Sequence, residues 1–500
     1  MRKGGWPIGF FALFGSLAPT PRTMPSTAAL RAAAALLASL SLAVAQNPPP
    51  GFTYETLVDG PLQSATAMAF LPDGRLLLTE RATGNIRVFR DGQLLPTPWA
   101  TVAIQNGGSY SEQGLLGIAV DPGFLTNRYV YIYYSAPSGT ENRIGRLQDN
   151  NGTGTGLTVL TPANAIASQL YHNGGPMVFG PDGMLYVATG DAMSGAEAQD
   201  LTAWAGKVLR FQPPNLTIPA NNPFPGSPVF SYGHRNQFGL CVHPITGRVY
   251  QTENGNAMRD EVNLLVAGGN YGWPIVEGPE PTPNSAYVDP LATWQPTFAP
   301  TGTCFYSGEH YPLQYKNTWF VCDYNLNRLR MLTLNAAGTV VQSQGVFDTL
   351  PGSGYGAVTG PDGNLWVLTH DTGGFGADEL GRYVHANESL PSAQLSSVSN
   401  KTLGASITVG LRGNPGEVLL PWMSLARYPT PVPTPFGNLW VPGDTTLAPV
   451  IIVTDQRAYQ AAAVPNAPSF LGSSLHLQAV SLSAAGLLTL SNASELVIRG

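Results

Sequence analysis

Met177-Val178-Phe179-Gly180-Pro181-Asp182-Gly183-Met184-Leu185-Tyr186 is the stretch that decides the fold. A short apolar run enters a Pro-Asp-Gly turn and leaves it as a second apolar run, which reads as strand, turn, strand. The figure recurs over 67–80, with Leu71-Pro72-Asp73-Gly74 at its turn, and over 357–366, with Gly360-Pro361-Asp362-Gly363. A degenerate copy lies at 240–250, turning through His243-Pro244-Ile245-Thr246-Gly247, and an altered one at 116–122. A small sheet repeated in this way cannot bury its faces alone, so copies stack around an axis as a β-propeller. The period is too irregular for a strict WD40 array. A β-sandwich with common hairpin turns is the alternative that these residues leave open.

Composition agrees with an all-β chain. Of 500 residues, 57 are Gly and 44 Pro, only 11% are charged, and 43% are hydrophobic, enough for a core. The net charge of -6 and the lack of a basic cluster exclude nucleic acid as an expected partner.

At the N-terminus, Arg31 precedes an Ala/Leu-rich run that ends Ala43-Val44-Ala45 before Gln46, the pattern of an export signal with a small-x-small cleavage site. The segment from Met24 is a complete signal by itself, so Met24 is a candidate start and residues 1–45 a signal region. The expected product is secreted or periplasmic, with no membrane span in the mature chain. Three cysteines suit an oxidising compartment without a disulfide scaffold. Cys304 and Cys322, on two β-like runs, admit a cross-strand disulfide or two thiols, and Cys241 is left as a buried thiol.

The propeller reading covers 52–385. Beyond it the Pro-Asp-Gly figure stops, and 388–500 reads as a separate small β domain, sandwich-like, with strand-like Val450-Ile451-Ile452-Val453 and a Pro/Thr-rich loop at 429–435. It offers no chemical constellation.

Polar residues gather with glycine at four loop positions beside the repeated strands: Ser111-Glu112-Gln113-Gly114, Tyr171-His172-Asn173-Gly174-Gly175, Gly233-His234-Arg235-Asn236, and Glu253-Asn254-Gly255-Asn256 with Asp260-Glu261. In a propeller they converge on one end of the axis. The turn at Pro181-Asp182-Gly183 brings His172 toward Asp191, and an imidazole held by a carboxylate is a general base. An arginine beside an asparagine is a donor fork for a carboxylate or oxyanion, and backbone carbonyls in a Gly/Asn turn near acids suit calcium.

In this order, Glu112-Gln113-Gly114-Leu115-Leu116-Gly117, His172, Gly233-His234-Arg235-Asn236, Asp260-Glu261-Val262-Asn263 and Gly269-Asn270-Tyr271-Gly272-Trp273-Pro274 resemble the glucose/sorbosone dehydrogenase family. The resemblance implies a six-bladed β-propeller that oxidises a sugar or polyol with pyrroloquinoline quinone (PQQ) and calcium, and passes electrons to an external acceptor. It implies His172 as base, Asp191 as its orienter and Arg235 as polariser of the quinone carbonyl. It also implies Gln113, Arg235, Asn236 and Asn254 as cofactor-binding residues, with the carbonyls of Gly255 and Asn256 on calcium.

Three positions depart from the family. Phe238 stands where a glutamine is expected, 323–327 has no lysine, and 352–356 has no arginine. Those cations would neutralise the quinone's carboxylates. Their loss keeps open a second function, a redox-inactive propeller that binds a carbohydrate or protein ligand, and a third and weaker one, a calcium-dependent hydrolase or lactonase.

Overall fold

The computed structural model describes residues 46–386 apart from 109–110, 257, 281–285, 309 and 371–377, and, beyond 386, a set of strands between 394 and 497. Six antiparallel sheets of four or five strands account for 52–385. Their innermost strands are Ala65–Phe70, Leu115–Val120, Met177–Phe179, Gln237–Val242, Pro300–Phe305 and Ser353–Thr359, which number blades 1 to 6. All six line one axial cavity of about 510 Å³. The repeated figure is therefore a propeller, and the sandwich alternative falls for this region.

Each turn aspartate does two jobs. In blade 3 the Asp182 carboxylate accepts from the Met184 N–H (3.1 Å), closing the turn, and binds the Tyr186 hydroxyl and the Arg210 guanidinium (both 2.9 Å). Asp362 repeats this in blade 6 with Asn364 N–H, Trp366 and Arg382. In the degenerate copy the ring of His243 takes over, its Nδ1 accepting from the amides of Ile245 and Thr246 (3.2 Å each).

The second strands Leu76–Glu80, Leu185–Thr189, Val249–Glu253 and Trp319–Asp323 are buried at every position, because neighbouring blades cover both faces. Six apolar clusters fill the interfaces between neighbouring blades. A fully buried leucine such as Leu368 contributes roughly 1.5–3 kcal/mol there. The ring closes through Phe52–Leu62, which pairs antiparallel with the last strand, Asp378–His385, from Phe52 opposite His385 to Leu62 opposite Asp378.

In blades 1, 2, 4, 5 and 6 the inner strand carries a bulge near its start. Bulges re-aim the chain and favour the rims of barrels and sites. Blade 3 lacks one, and its inner strand is entered from the His172 loop instead.

Cys304 lies opposite Phe320 in the ladder, not opposite Cys322, and all three cysteines are buried free thiols. Beyond 386 the described strands pair only among themselves, as in Ser406–Arg412 with Arg457–Ala463 and Val418–Ser424 with Ser474–Leu482. The signal region, and the loop 429–435 except for its strand residues 432–434, lie outside the described residues. No described helix is long and apolar enough to cross a membrane.

Candidate functional site at the axis mouth

The loop before blade 3 holds His172 in the left-handed region, φ 61°. A non-glycine residue there is strained and needs support. The support comes from three directions. The His172 N–H donates to Glu112 Oε2 (2.6 Å), and its carbonyl accepts from Ala192 (3.0 Å). Gly190 completes the fit, because a Cβ there would collide with the His172 carbonyl oxygen. The loop is thereby pressed against the end of the second strand, where Asp191 follows.

His172 Nδ1 lies 2.7 Å from Asp191 Oδ1. That oxygen also accepts from Met193 N–H (2.8 Å), and Oδ2 accepts from the Trp273 indole N–H (2.7 Å). Asp191 is nearly fully buried, while the His172 side chain keeps 16% of its surface open. With the carboxylate accepting at three points, Nδ1 carries the proton and Nε2 is left as the acceptor, with no partner among the described residues.

The next blade supplies the second half of the site. The Arg235 carbonyl accepts from Asp191 N–H (2.8 Å), tying the two halves together. The Arg235 guanidinium lies over the Trp273 ring, 5.3 Å from its centroid, so one tryptophan contacts both the aspartate and the arginine. Arg235 Nη1 donates to the carbonyls of Asn254 (3.0 Å) and Gly255 (2.8 Å). Asn236 Nδ2 donates to Glu112 Oε2 (3.2 Å).

Glu112, which the sequence reading passed over for its neighbour, is thus the shared carboxylate of the site. Burial lifts its pKa above the ordinary carboxylate value, against the pull of His172 when its ring is protonated, the His172 N–H and Asn236. Gln113 turns the other way, spending its Nε2 on the Gly139 carbonyl (2.7 Å) and the Ser168 hydroxyl (2.9 Å). Adjacent residues of extended chain point to opposite sides, and the sequence does not say which of the two faces the mouth. Trp273 has a clearer signal, since it lies in the Gly269-Asn270-Tyr271-Gly272-Trp273-Pro274 motif.

His234, one residue before Arg235, is fully internal. Its Nδ1 meets Glu253 Oε2 and its Nε2 the Ser231 hydroxyl, each at 2.9 Å, and its ring stacks on Tyr271. Where cations are missing, the chain has aromatic residues. The Tyr355 ring lies 6.0 Å from Tyr324 and 6.3 Å from Phe238.

Three buried polar atoms of the predicted cofactor set have no partner among the described residues: Arg235 Nε, Asn236 Oδ1 and Asn254 Oδ1. Orphaned buried groups are costly, and three together at one mouth fit a bound polar group. The calcium position is less open. The Gly255 carbonyl already faces the Arg235 guanidinium, the exposed Asn256 turns its N–H to Glu277 (2.7 Å), and no cluster of metal-ligating side chains occurs among the described residues.

Fold and site together define a six-bladed β-propeller with an oriented imidazole at one end of its axis. The chain belongs to the glucose/sorbosone dehydrogenase family, whose profile matches residues 62–376. It is 29% identical to an aldose sugar dehydrogenase of Escherichia coli, over 65% of this chain and 92% of that one. Among solved structures it resembles a putative oxidoreductase (glucose dehydrogenase) of Thermus thermophilus, with 35% identity, TM-score 0.58, and coverage of 67% of this chain and 100% of that one. The PQQ-bound aldose sugar dehydrogenase of Streptomyces coelicolor gives 29% identity and TM-score 0.56, over 67% of this chain and 100% of that one.

Proposed function

We propose that this protein is an exported quinoprotein dehydrogenase that oxidises the hemiacetal or alcohol of a sugar or polyol. The observation that carries the reading is the His172–Asp191 pair, with Nδ1 fixed and Nε2 unpartnered at the mouth. His172 Nε2 takes the substrate hydroxyl proton, and Asp191 stabilises the imidazolium that results. Trp273 and the Met193 amide keep Asp191 from rotating away. PQQ, when bound, supplies the two-electron acceptor. Of the set Arg235 Nε, Asn236 Oδ1 and Asn254 Oδ1, only Arg235 Nε is a free buried donor that would meet a quinone oxygen, and the carbonyls of Asn254 and Gly255 would have to exchange the Arg235 guanidinium for calcium. Electrons then pass to an external acceptor. Residues 388–500 are read as an accessory β domain.

The test is reconstitution of purified protein with PQQ and calcium, with dye reduction followed on a panel of aldoses. Saturable reduction that disappears in His172→Ala is the expected result. A folded sample that binds sugar but neither takes up the quinone nor reduces dye would replace this reading with that of a carbohydrate-binding propeller. The aromatic residues in place of cations beside Tyr355 favour that second reading.

A further inference from the structure

A second His–Asp pair stands at the same end of the axis. His370 ends the second strand of blade 6, Leu365–His370, as Asp191 follows that of blade 3, Leu185–Thr189. Blades 3 and 6 are three apart in a ring of six, so the two pairs face each other across the mouth. His370 Nδ1 lies 2.9 Å from Asp378 Oδ1, and Asp378 Oδ2 accepts from the Ala65 N–H of blade 1. Both carboxylate oxygens are therefore engaged, which fixes the Nδ1–H tautomer and leaves Nε2 as an acceptor. That Nε2 is buried and has no partner among the described residues.

A buried acceptor without a donor is costly, a penalty that a ligand hydroxyl would remove. The surroundings suit such a ligand. The Tyr355 ring packs against the imidazole at 4.4 Å, and Tyr324 lies 6.5 Å away with 38% of its surface exposed. Flat aromatic faces beside a fixed acceptor are what the C–H face and hydroxyls of a pyranose need. Tyr355 also reaches toward blade 4, its ring 6.3 Å from that of Phe238.

We infer that His370, held by Asp378 and flanked by Tyr355 and Tyr324, is a substrate-binding residue that accepts a hydroxyl of the sugar opposite the His172 base. The inference rests on the sugar reading above and adds a specificity element to it. No bond is made or broken at His370.

Two substitutions separate this role from a structural one. His370→Asn keeps a donor where Nδ1 stands, so Asp378 stays paired, but it removes the acceptor. His370→Gln places an amide oxygen near the position of Nε2. Glucose and a non-oxidisable polyol are titrated by calorimetry without quinone, with histidine ¹⁵N shifts recorded in parallel. The expected result is at least about tenfold weaker binding in His370→Asn, recovery to within about threefold in His370→Gln, and a sugar-dependent shift of the His370 Nε2 resonance. Under turnover, KM rises in His370→Asn while kcat holds. Wild-type affinity in His370→Asn, or a wild type that binds no polyol, overturns the inference. Sugar binding that depends on His370 in a protein that never reduces dye would leave it standing and sink the dehydrogenase reading instead.

Discussion

Blades 3 and 4 each hold a histidine paired with a carboxylate nineteen residues later, His172 with Asp191 and His234 with Glu253. Spacing and chemistry match, and the outcomes are opposite. His234 is sealed, with both nitrogens bonded and its ring stacked on Tyr271. His172 keeps 16% of its side chain open and one nitrogen unbonded. Pairing alone therefore does not make a base. The fate of the second nitrogen decides, and here a single hydroxyl, Ser231, makes the difference.

The sharpest way to break this comparison is to remove each imidazole in turn. His172→Ala is expected to lower kcat for sugar oxidation about a thousandfold, with little change in thermal midpoint. His234→Ala should do the reverse, costing about 2–3 kcal/mol of stability because it empties a buried site and removes one of the partners of Glu253, which keeps the Arg235 N–H and Gln251. Urea unfolding and dye-linked kinetics on both variants distinguish them, and equal loss of activity without loss of stability in His234→Ala would erase the contrast. Next in size is Trp273→Phe, which deletes the indole N–H on Asp191. About tenfold is expected in kcat, since a hydrogen bond to a charged group contributes about 1.5–3 kcal/mol.

Smaller again is the effect of Glu112→Gln, about fivefold in kcat/KM by loss of the charge beneath His172. Gln113→Ala is expected to leave kinetics unchanged and to cost about 1 kcal/mol through its two lost hydrogen bonds. Steady-state assays of the pair show which neighbour faces the mouth.

The smallest effect concerns pH. Glu261 lies directly across the ladder from Glu253, and burial together with that charge pushes its pKa up to about 8. A raised carboxyl pKa gives stability that is complete below the ordinary glutamate value and is lost as pH rises through the folded one. The wild-type melting temperature should therefore fall by a few degrees between about pH 6 and pH 9, and Glu261→Gln should flatten that slope. A wild-type midpoint that rises over this range would contradict the assignment.

The fold was legible because its signal is local. A Pro-Asp-Gly turn fixes a hairpin without reference to the rest of the chain, and repetition of the hairpin then demands stacking. The His172–Asp191 pairing was legible for the same reason, since one hairpin joins the two residues. What depended on contacts between blades was not. Glu112 and Gln113 are indistinguishable until Asn236 and Ser168 hold them in opposite directions. The Arg235 guanidinium turns to the Gly255 carbonyl that the turn chemistry had reserved for a cation. Whether Cys304 and Cys322 join depended on ladder register, which the two strand-like runs do not specify.

The clasp between the first and last strands has a consequence for how the protein can be tethered. Strands alternate in direction across each blade, so the pairing of Phe52 with His385 lies at the far end of the axis from His172, while Leu62 and Asp378 meet near the mouth. The chain enters and leaves the ring at one point on the distal rim. A membrane anchor, an electrode linker or a fused partner attached through either end would pull on the same edge and leave the mouth facing outward.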